Sequence, residues 1–161
     1  MFFNNKNSEL PIEKFMTHPV AFTLLDVRGS TDYDPTIPGS KRVYLLSLEE
    51  RMDEFEKRFE AQLLQRPLLV YCSKGDGSQY ILKKFSKRFQ VQSLKGGMVA
   101  YLETISRLLN EHPYEKPEKR DEIMSKMLMT LTNRQTPPDT FHKIIKHLIR
   151  SSPNPEVRKW L

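Results

Sequence analysis

The chain has 161 residues and a mass of 19.0 kDa, enough for one ordinary domain with an addition and too little for a large multidomain enzyme. Its 38% hydrophobic, 10% aromatic and 29% charged residues are those of a globular protein and exclude a disordered or fibrous one. The 26 Lys and Arg against 20 Asp and Glu leave +6 (26 − 20), which favours small anions or acidic partners without choosing among them. A single Cys excludes an internal disulfide framework and a multi-cysteine zinc site. A lone thiol stays useful where it is kept reduced, so a cytoplasmic location is expected. No apolar run is long enough to span a bilayer, and the opening MFFNNKNSELP lacks the basic and apolar regions of a signal peptide. The chain is therefore expected to be soluble and unprocessed, with no membrane partner.

Glycine and proline divide the chain near residue 112. All 6 glycines lie before residue 98, whereas 6 of the 11 prolines lie at Pro113 or beyond. Glycines serve sharp turns and close backbone approaches, and prolines start and stop short helices. Residues 1–112 are thus expected to form an α/β domain and 113–161 an all-helical C-terminal extension.

In chain order, Ile12, Phe15 and Met16 mark a short helix. AFTLLDV, ending at Val27, reads as a buried strand, and RVYLL, around Val43 to Leu46, as a second. SLEERMDEFEKRFEAQLL predicts an amphipathic helix, with Ser47 as N-cap, Glu50 completing a capping box, and Leu48, Met52, Phe55, Phe59 and Leu63 on one face. After Pro67 come a strand at Leu68 to Tyr71, a helix starting about Ser78 or Gln79, a strand at Val91 to Leu94 and a helix from GMVAYLETISRLL. This alternation argues a mainly parallel sheet with helices on both faces. Beyond residue 112, Ile123, Met124, Met127, Leu128 and Leu131 form one apolar stripe, and Phe141, Ile144, Ile145, Leu148 and Ile149 another. Thr136 to Asp139 supply a cap, a first-turn proline and a first-turn acid for the second. Both helices need a surface to pack on, the first part of the chain.

LLVYCSKGDGSQYILKKF, from Leu68 to Phe85, carries the chemistry. A lone Cys is most simply a small buried hydrophobe. Here, however, Cys72 follows a strand and precedes SKGDG and a helix, which places its sulfur at the carboxyl end of a parallel strand, over a helix N-terminus. Loop amides freed by the two glycines, and the helix dipole, favour an anionic sulfur nucleophile there. Tyrosine phosphatases share this order but place an Arg six positions after the Cys. Ser78 stands there, no Arg occupies the loop, and bidentate phosphate capture is excluded. Lys74 and Asp76 are read either as solvated charges or as an attractor and a filter for anionic substrates.

LLDVRGSTDY (Leu24 to Tyr33), IPGS (Ile37 to Ser40), LLVYCSKGDGS and LKGGMVAYL (Leu94 to Leu102) together resemble the rhodanese family of sulfurtransferases over roughly residues 10 to 110. The resemblance implies a doubly wound α/β fold with a central parallel sheet flanked by helices, the helical extension being an addition to it. It implies further that a sulfane sulfur passes from a small anionic donor through a persulfide on the catalytic Cys72 to an external thiol or other acceptor. Ser73, Lys74, Gly75, Asp76, Gly77 and Ser78 match the active-site loop that binds substrate. Asp26 and Arg28 match the family's Asp-x-Arg, with Asp32 where an acid usually follows, read as structural support of the site through a buried ion pair. Gly96 and Gly97 match the closing glycine pair. The sequence departs from the family at Thr36, where His is common, in a connection one residue shorter, in Ser73 and Gly77 where an Arg is usual, and at Met98. No cofactor and no metal are implied.

With no second Cys, no internal disulfide can resolve a persulfide, and the acceptor is external. A competing reading is a rhodanese-like interaction or regulatory module with little turnover, whose C-terminal helices dock a protein partner or acceptor. Residues 113–161 hold 10 Lys or Arg against 6 Asp or Glu, and His142, Lys143, Lys146, His147 and Arg150 are expected on the polar side of the last stripe. No base-stacking aromatics accompany them, which argues against nucleic acid, and the spacing of the two His argues against a metal. Met124, Met127 and Met129 are read as core fillers.

Overall fold

The sheet is built from β1 (Glu9–Leu10), β2 (Thr23–Asp26), β3 (Lys41–Arg42), β4 (Leu68–Tyr71) and β5 (Val91–Leu94). In the computed structural model, which describes residues 9–29, 35–44, 51–86, 90–132 and 137–161, the strands run parallel in the order β1-β5-β4-β2-β3. The helices are α1 (Ile12–Thr17), α2 (Met52–Gln65), α3 (Asp76–Phe85), α4 (Gly97–Glu111), α5 (Pro117–Thr132), α6 (Pro138–Arg150) and α7 (Pro155–Arg158).

The central strand shows why the order is α/β. All four residues of LLVY have no exposure, which only a strand covered on both faces allows. Side chains alternate along it. Leu69 and Tyr71 point with Leu24 and Leu94 into a cluster closed by α1, α4, α5, α6 and α7; Leu68 and Val70 point with Leu25, Val27 and Val91 toward Phe55 and Phe59 of α2 and Leu82 of α3. The C-terminal helices therefore add Met127, Leu131, Phe141, Ile145, Leu148, Ile149 and Val157 to the same core as the sheet.

Several sequence expectations change. The described strand beside β2 is Lys41–Arg42, and of the expected Val43 to Leu46 the described residues Val43 and Tyr44 lie beyond it. It is an edge with two paired residues, Leu25 opposite Lys41 and Asp26 opposite Arg42, and Arg42 is drawn in by the Asp26 carboxylate. Leu45, Leu46, Ser47, Leu48, Glu50 and Thr136 lie outside the described residues. The described part of the α2 helix begins at Met52 and buries Phe55 and Phe59. The edge strand β1 had no sequence signal, being two residues long. Leu128 and Met129 are exposed at 54% and 62%, because α5 packs by one side only, through Met127 and Leu131. His142 is buried rather than on a polar face, because α6 packs against α1, α4, α5 and α7 and so buries more than one stripe. No helix among the described residues is long and apolar enough to cross a membrane.

Two predictions arise from the core. Tyr101 is fully buried between Phe15 and Phe141, and its hydroxyl has no hydrogen-bond partner among the described residues. Leaving such a group unpaired costs about 1–3 kcal/mol, so Tyr101→Phe should raise the thermal midpoint; a lowered midpoint would contradict this. The second concerns protons. Burial holds the His142 imidazole below its ordinary value of 6.5, with Lys146 adding to the effect and Asp139 opposing it. Burial and the neighbouring His147 do the same for His112. Below pH 6.5 the unfolded chain thus binds more protons than the folded one, so stability is full above that value and falls as the pH drops through it. Unfolding midpoints measured from about pH 7.5 to 5.5 should decline, and less steeply in His142→Gln.

Candidate active site

Cys72 is the first residue after β4, half-buried at the carboxyl end of the central strand, where parallel sheets present ligand sites. The Gly75 and Ser78 amides donate to its Sγ, with N···S distances of 3.0 and 3.4 Å. The Cys72 S–H faces Ser78 Oγ at 3.7 Å, and that hydroxyl donates to the Gly75 carbonyl at 3.0 Å. Gly75 makes this cradle by adopting φ +105°, which turns the chain into α3 at Asp76, two to three residues earlier than the sequence indicated. Ser78, where a phosphatase would have Arg, is fully buried beneath the sulfur.

The N-terminus of α4 forms the floor. Met98 N donates to the Cys72 carbonyl at 2.8 Å and Val99 N to the Ser73 carbonyl at 3.0 Å, so amides that a helix start leaves open are satisfied by the sulfur loop. Gly97 permits the approach: it has φ +61°, and a Cβ there would collide with the carbonyl oxygens of both Cys72 and Ser73.

Asp26 anchors the neighbouring wall. Its carboxylate has no exposure and accepts from Arg28 Nε (3.0 Å to Oδ1) and Nη2 (2.8 Å to Oδ2), from the Arg28 amide (3.0 Å), and from Arg42 Nη2 (3.0 Å). Arg28 Nη2 also donates to the Pro35 carbonyl at 2.6 Å, and its guanidinium carbon lies 5.8 Å from the centre of the Tyr71 ring. Burial, with the Asp26 charge adding to it, holds the Tyr71 phenol protonated far above its usual range. That proton is donated to Ser40 Oγ at 2.7 Å.

These elements enclose an open cleft of about 490 Å³ lined by Arg28, Gly29, Cys72, Ser73, Lys74, Asp76 and Gly77. Six of the sequence-predicted residues therefore share one cleft, while Gly75 and Ser78 hold the sulfur from behind and Asp26 lies beneath. Asp32 lies outside the described residues. Arg28, expected only as support, also faces the cleft. Lys74 and Asp76 are both exposed at its rim, a cation and an anion two positions apart in the loop. The sequence reading missed Arg42, Ser40, Tyr71 and Gly29. Arg42 becomes readable only once β3 is placed beside β2. No group of three or more His, Cys, Asp or Glu among the described residues is placed to hold a metal ion.

The floor generates a prediction. Gly97→Ala places a methyl against two loop carbonyls in a backbone conformation that L residues disfavour by about 1–2 kcal/mol, and so should lower stability by about 2 kcal/mol or more. It should also loosen the Gly75 and Ser78 amides, read by hydrogen exchange; native stability with unchanged exchange would refute the close approach.

The model of the family described as "Rhodanese-like domain" matches residues 12–104. No curated protein is found to match the chain. Among solved structures, a rhodanese-related protein from Thermoplasma volcanium is 19% identical, with 60% of this chain and 91% of that one covered and a TM-score of 0.51. A protein from Bacillus halodurans is also 19% identical, with coverage of 62% and 75% and a TM-score of 0.51. At this identity the two structures speak for the fold alone, which is the parallel five-stranded sheet with helices on both faces. The family match spans more than half of the chain and includes β2, β4, the sulfur loop and the start of the floor helix: the chain belongs to the rhodanese-like domain family.

Proposed function

We propose that this chain is a sulfurtransferase in which Cys72 carries a sulfane sulfur from a small anionic donor to an external acceptor. The observation that carries the reading is the Cys72 Sγ facing an open cleft while the Gly75 and Ser78 amides point at it. Family membership supports the same chemistry.

The Cys72 thiol gives its proton to solvent, and the thiolate attacks the outer sulfur of the donor. A new S–S bond forms, and the donor's bond to that sulfur breaks, its electron pair leaving with the donor remnant. The amides and the start of α3 stabilise negative charge on the sulfur. A thiol or other nucleophile then attacks the terminal sulfur and regenerates the Cys72 thiolate, a two-stage transfer with no net oxidant. Arg28 and Lys74 on the cleft wall favour anionic donors, and Asp76 narrows the choice. Residues 1–112 supply this chemistry, and 113–161 form an addition on which a protein acceptor could dock. The reaction needs a compartment that keeps a single thiol reduced, which the cytoplasm provides.

One observation favours a second reading, an interaction module with little turnover: no Arg stands in the loop, and Asp76 stands beside its only cation. A single experiment separates the two. Incubation with thiosulfate or a polysulfide, followed by intact mass measurement, should add one sulfur to the wild-type chain and none to Cys72→Ala. A folded wild-type chain that gains no sulfur from either donor leaves the module reading standing.

A further inference from the structure

The segment 35–40 touches the C-terminal helices on one side and the sulfur site on the other. It has little regular structure of its own beyond one turn, closed by Ser40 N donating to Ile37 O at 3.1 Å, so its position is set by what packs against it. On the C-terminal side, Thr36 is buried and its amide donates to the carbonyl of Leu131, in the last turn of α5, at 3.0 Å. Ile37 has no exposure and lies in the cluster that contains Leu131 and Phe141. Gly39, at φ +89°, backs onto Pro138, the first residue of α6; a Cβ added there would lie 3.4 Å from the proline ring.

On the sulfur side, the same segment holds the two residues that frame Cys72. Ile37 N donates to Tyr71 Oη at 3.2 Å, Tyr71 Oη donates to Ser40 Oγ, and Ser40 Oγ donates to the Ile37 carbonyl, both at 2.7 Å. The Pro35 carbonyl accepts from Arg28 Nη2. Tyr71 precedes Cys72 in the chain, and Arg28 lines its cleft.

We infer that the C-terminal helices set the geometry of the Cys72 cleft through segment 35–40, with Thr36 and Ile37 as the positioning residues. The α5 and α6 helices fix the segment, the segment fixes Tyr71 and Arg28, and these two fix the strand end and the charged wall at the sulfur. The route is contiguous, made of one backbone hydrogen bond, one buried side chain, a closed ring of three hydrogen bonds and the Arg28 bond to the Pro35 carbonyl. Neither Thr36 nor Ile37 acts on the sulfur itself; both act through Tyr71 and Arg28. The inference rests on Cys72 being the reactive group, which the proposed function assigns.

The test uses the full chain. Thr36→Pro removes the amide that meets Leu131, and Thr36→Ala keeps it. Ile37→Ala opens a void at the seam, and Ile37→Val trims one carbon. Val157→Ala weakens the same core at α7, away from the seam, and serves as the stability control. Three quantities are read in each folded variant: the alkylation rate of Cys72 by iodoacetamide, hydrogen exchange of the Gly75 and Ser78 amides, and kcat and KM for sulfur transfer from thiosulfate. Because small misplacements at a reacting centre cost up to a hundredfold, Thr36→Pro and Ile37→Ala should change the alkylation rate about fivefold or more and speed exchange at both amides. KM should rise more than kcat falls, since the charged wall moves. Thr36→Ala, Ile37→Val and Val157→Ala should stay within about twofold of wild type. Unchanged alkylation and exchange in Thr36→Pro and Ile37→Ala overturn the inference, as does an equal change in Val157→Ala. If Thr36→Pro does not fold, the Ile37 pair decides. A wild-type chain that takes up no sulfur removes the sulfurtransferase reading, and alkylation and exchange then decide this one alone.

Discussion

A carboxylate with no exposed surface is expensive unless its charge is met, by several kcal/mol even after relaxation, and Asp26 is met twice. Arg28 reaches it from two residues on, and Arg42 from the neighbouring strand. The two arginine side chains are only 12% and 11% exposed, so most of their surface is withdrawn from water around the carboxylate. Removing Asp26 takes a buried partner from both arginines, whereas removing one arginine leaves the carboxylate paired with the other. The arrangement ties the ends of β2 and β3 together. By its bond to Pro35 and its seat over Tyr71, Arg28 extends the tie to the loop beyond and to the strand that delivers Cys72. The sulfur site thus stands on an electrostatic knot that lies beneath its own loop contacts.

Much of this was legible in the sequence because the signals were local. LLVY reads as a strand from its unbroken apolar run, CSKGDGS as a loop into a helix from its two glycines, and Asp26 with Arg28 as an ion pair from their match to the family's Asp-x-Arg. What escaped was set by tertiary register. Arg42 pairs with Asp26 only because a two-residue edge strand brings it opposite. Tyr71 looked like one more apolar strand residue, yet its hydroxyl joins Ile37 and Ser40, more than thirty positions away in chain order. His142 looked polar by helical periodicity, and was buried because α6 has neighbours on more than one side. Leu128 failed in the opposite sense: a good apolar stripe was wider than the surface available to cover it.

The C-terminal helices illustrate how a composition boundary differs from a packing boundary. Glycine and proline usage change near residue 112, and the family match ends at residue 104. The apolar cluster respects neither limit: Phe141, Leu148, Ile149 and Val157 sit in the same core as Leu69 and Tyr71. The addition therefore covers a sheet face, and its contribution to burial cannot be separated from that of the strands beneath it.

The close approach of Gly97 to the sulfur loop bears on how such a site can diversify. Any side chain at position 97 meets two carbonyl oxygens, and φ +61° disfavours every residue that has a Cβ. A side chain is therefore barred at position 97. The open wall, with Ser73, Lys74 and Asp76 facing solvent, carries no comparable penalty. Lineages derived from this scaffold should accumulate change at the rim while glycine is kept at position 97, so a new substrate range can evolve without rebuilding the nucleophile's seat.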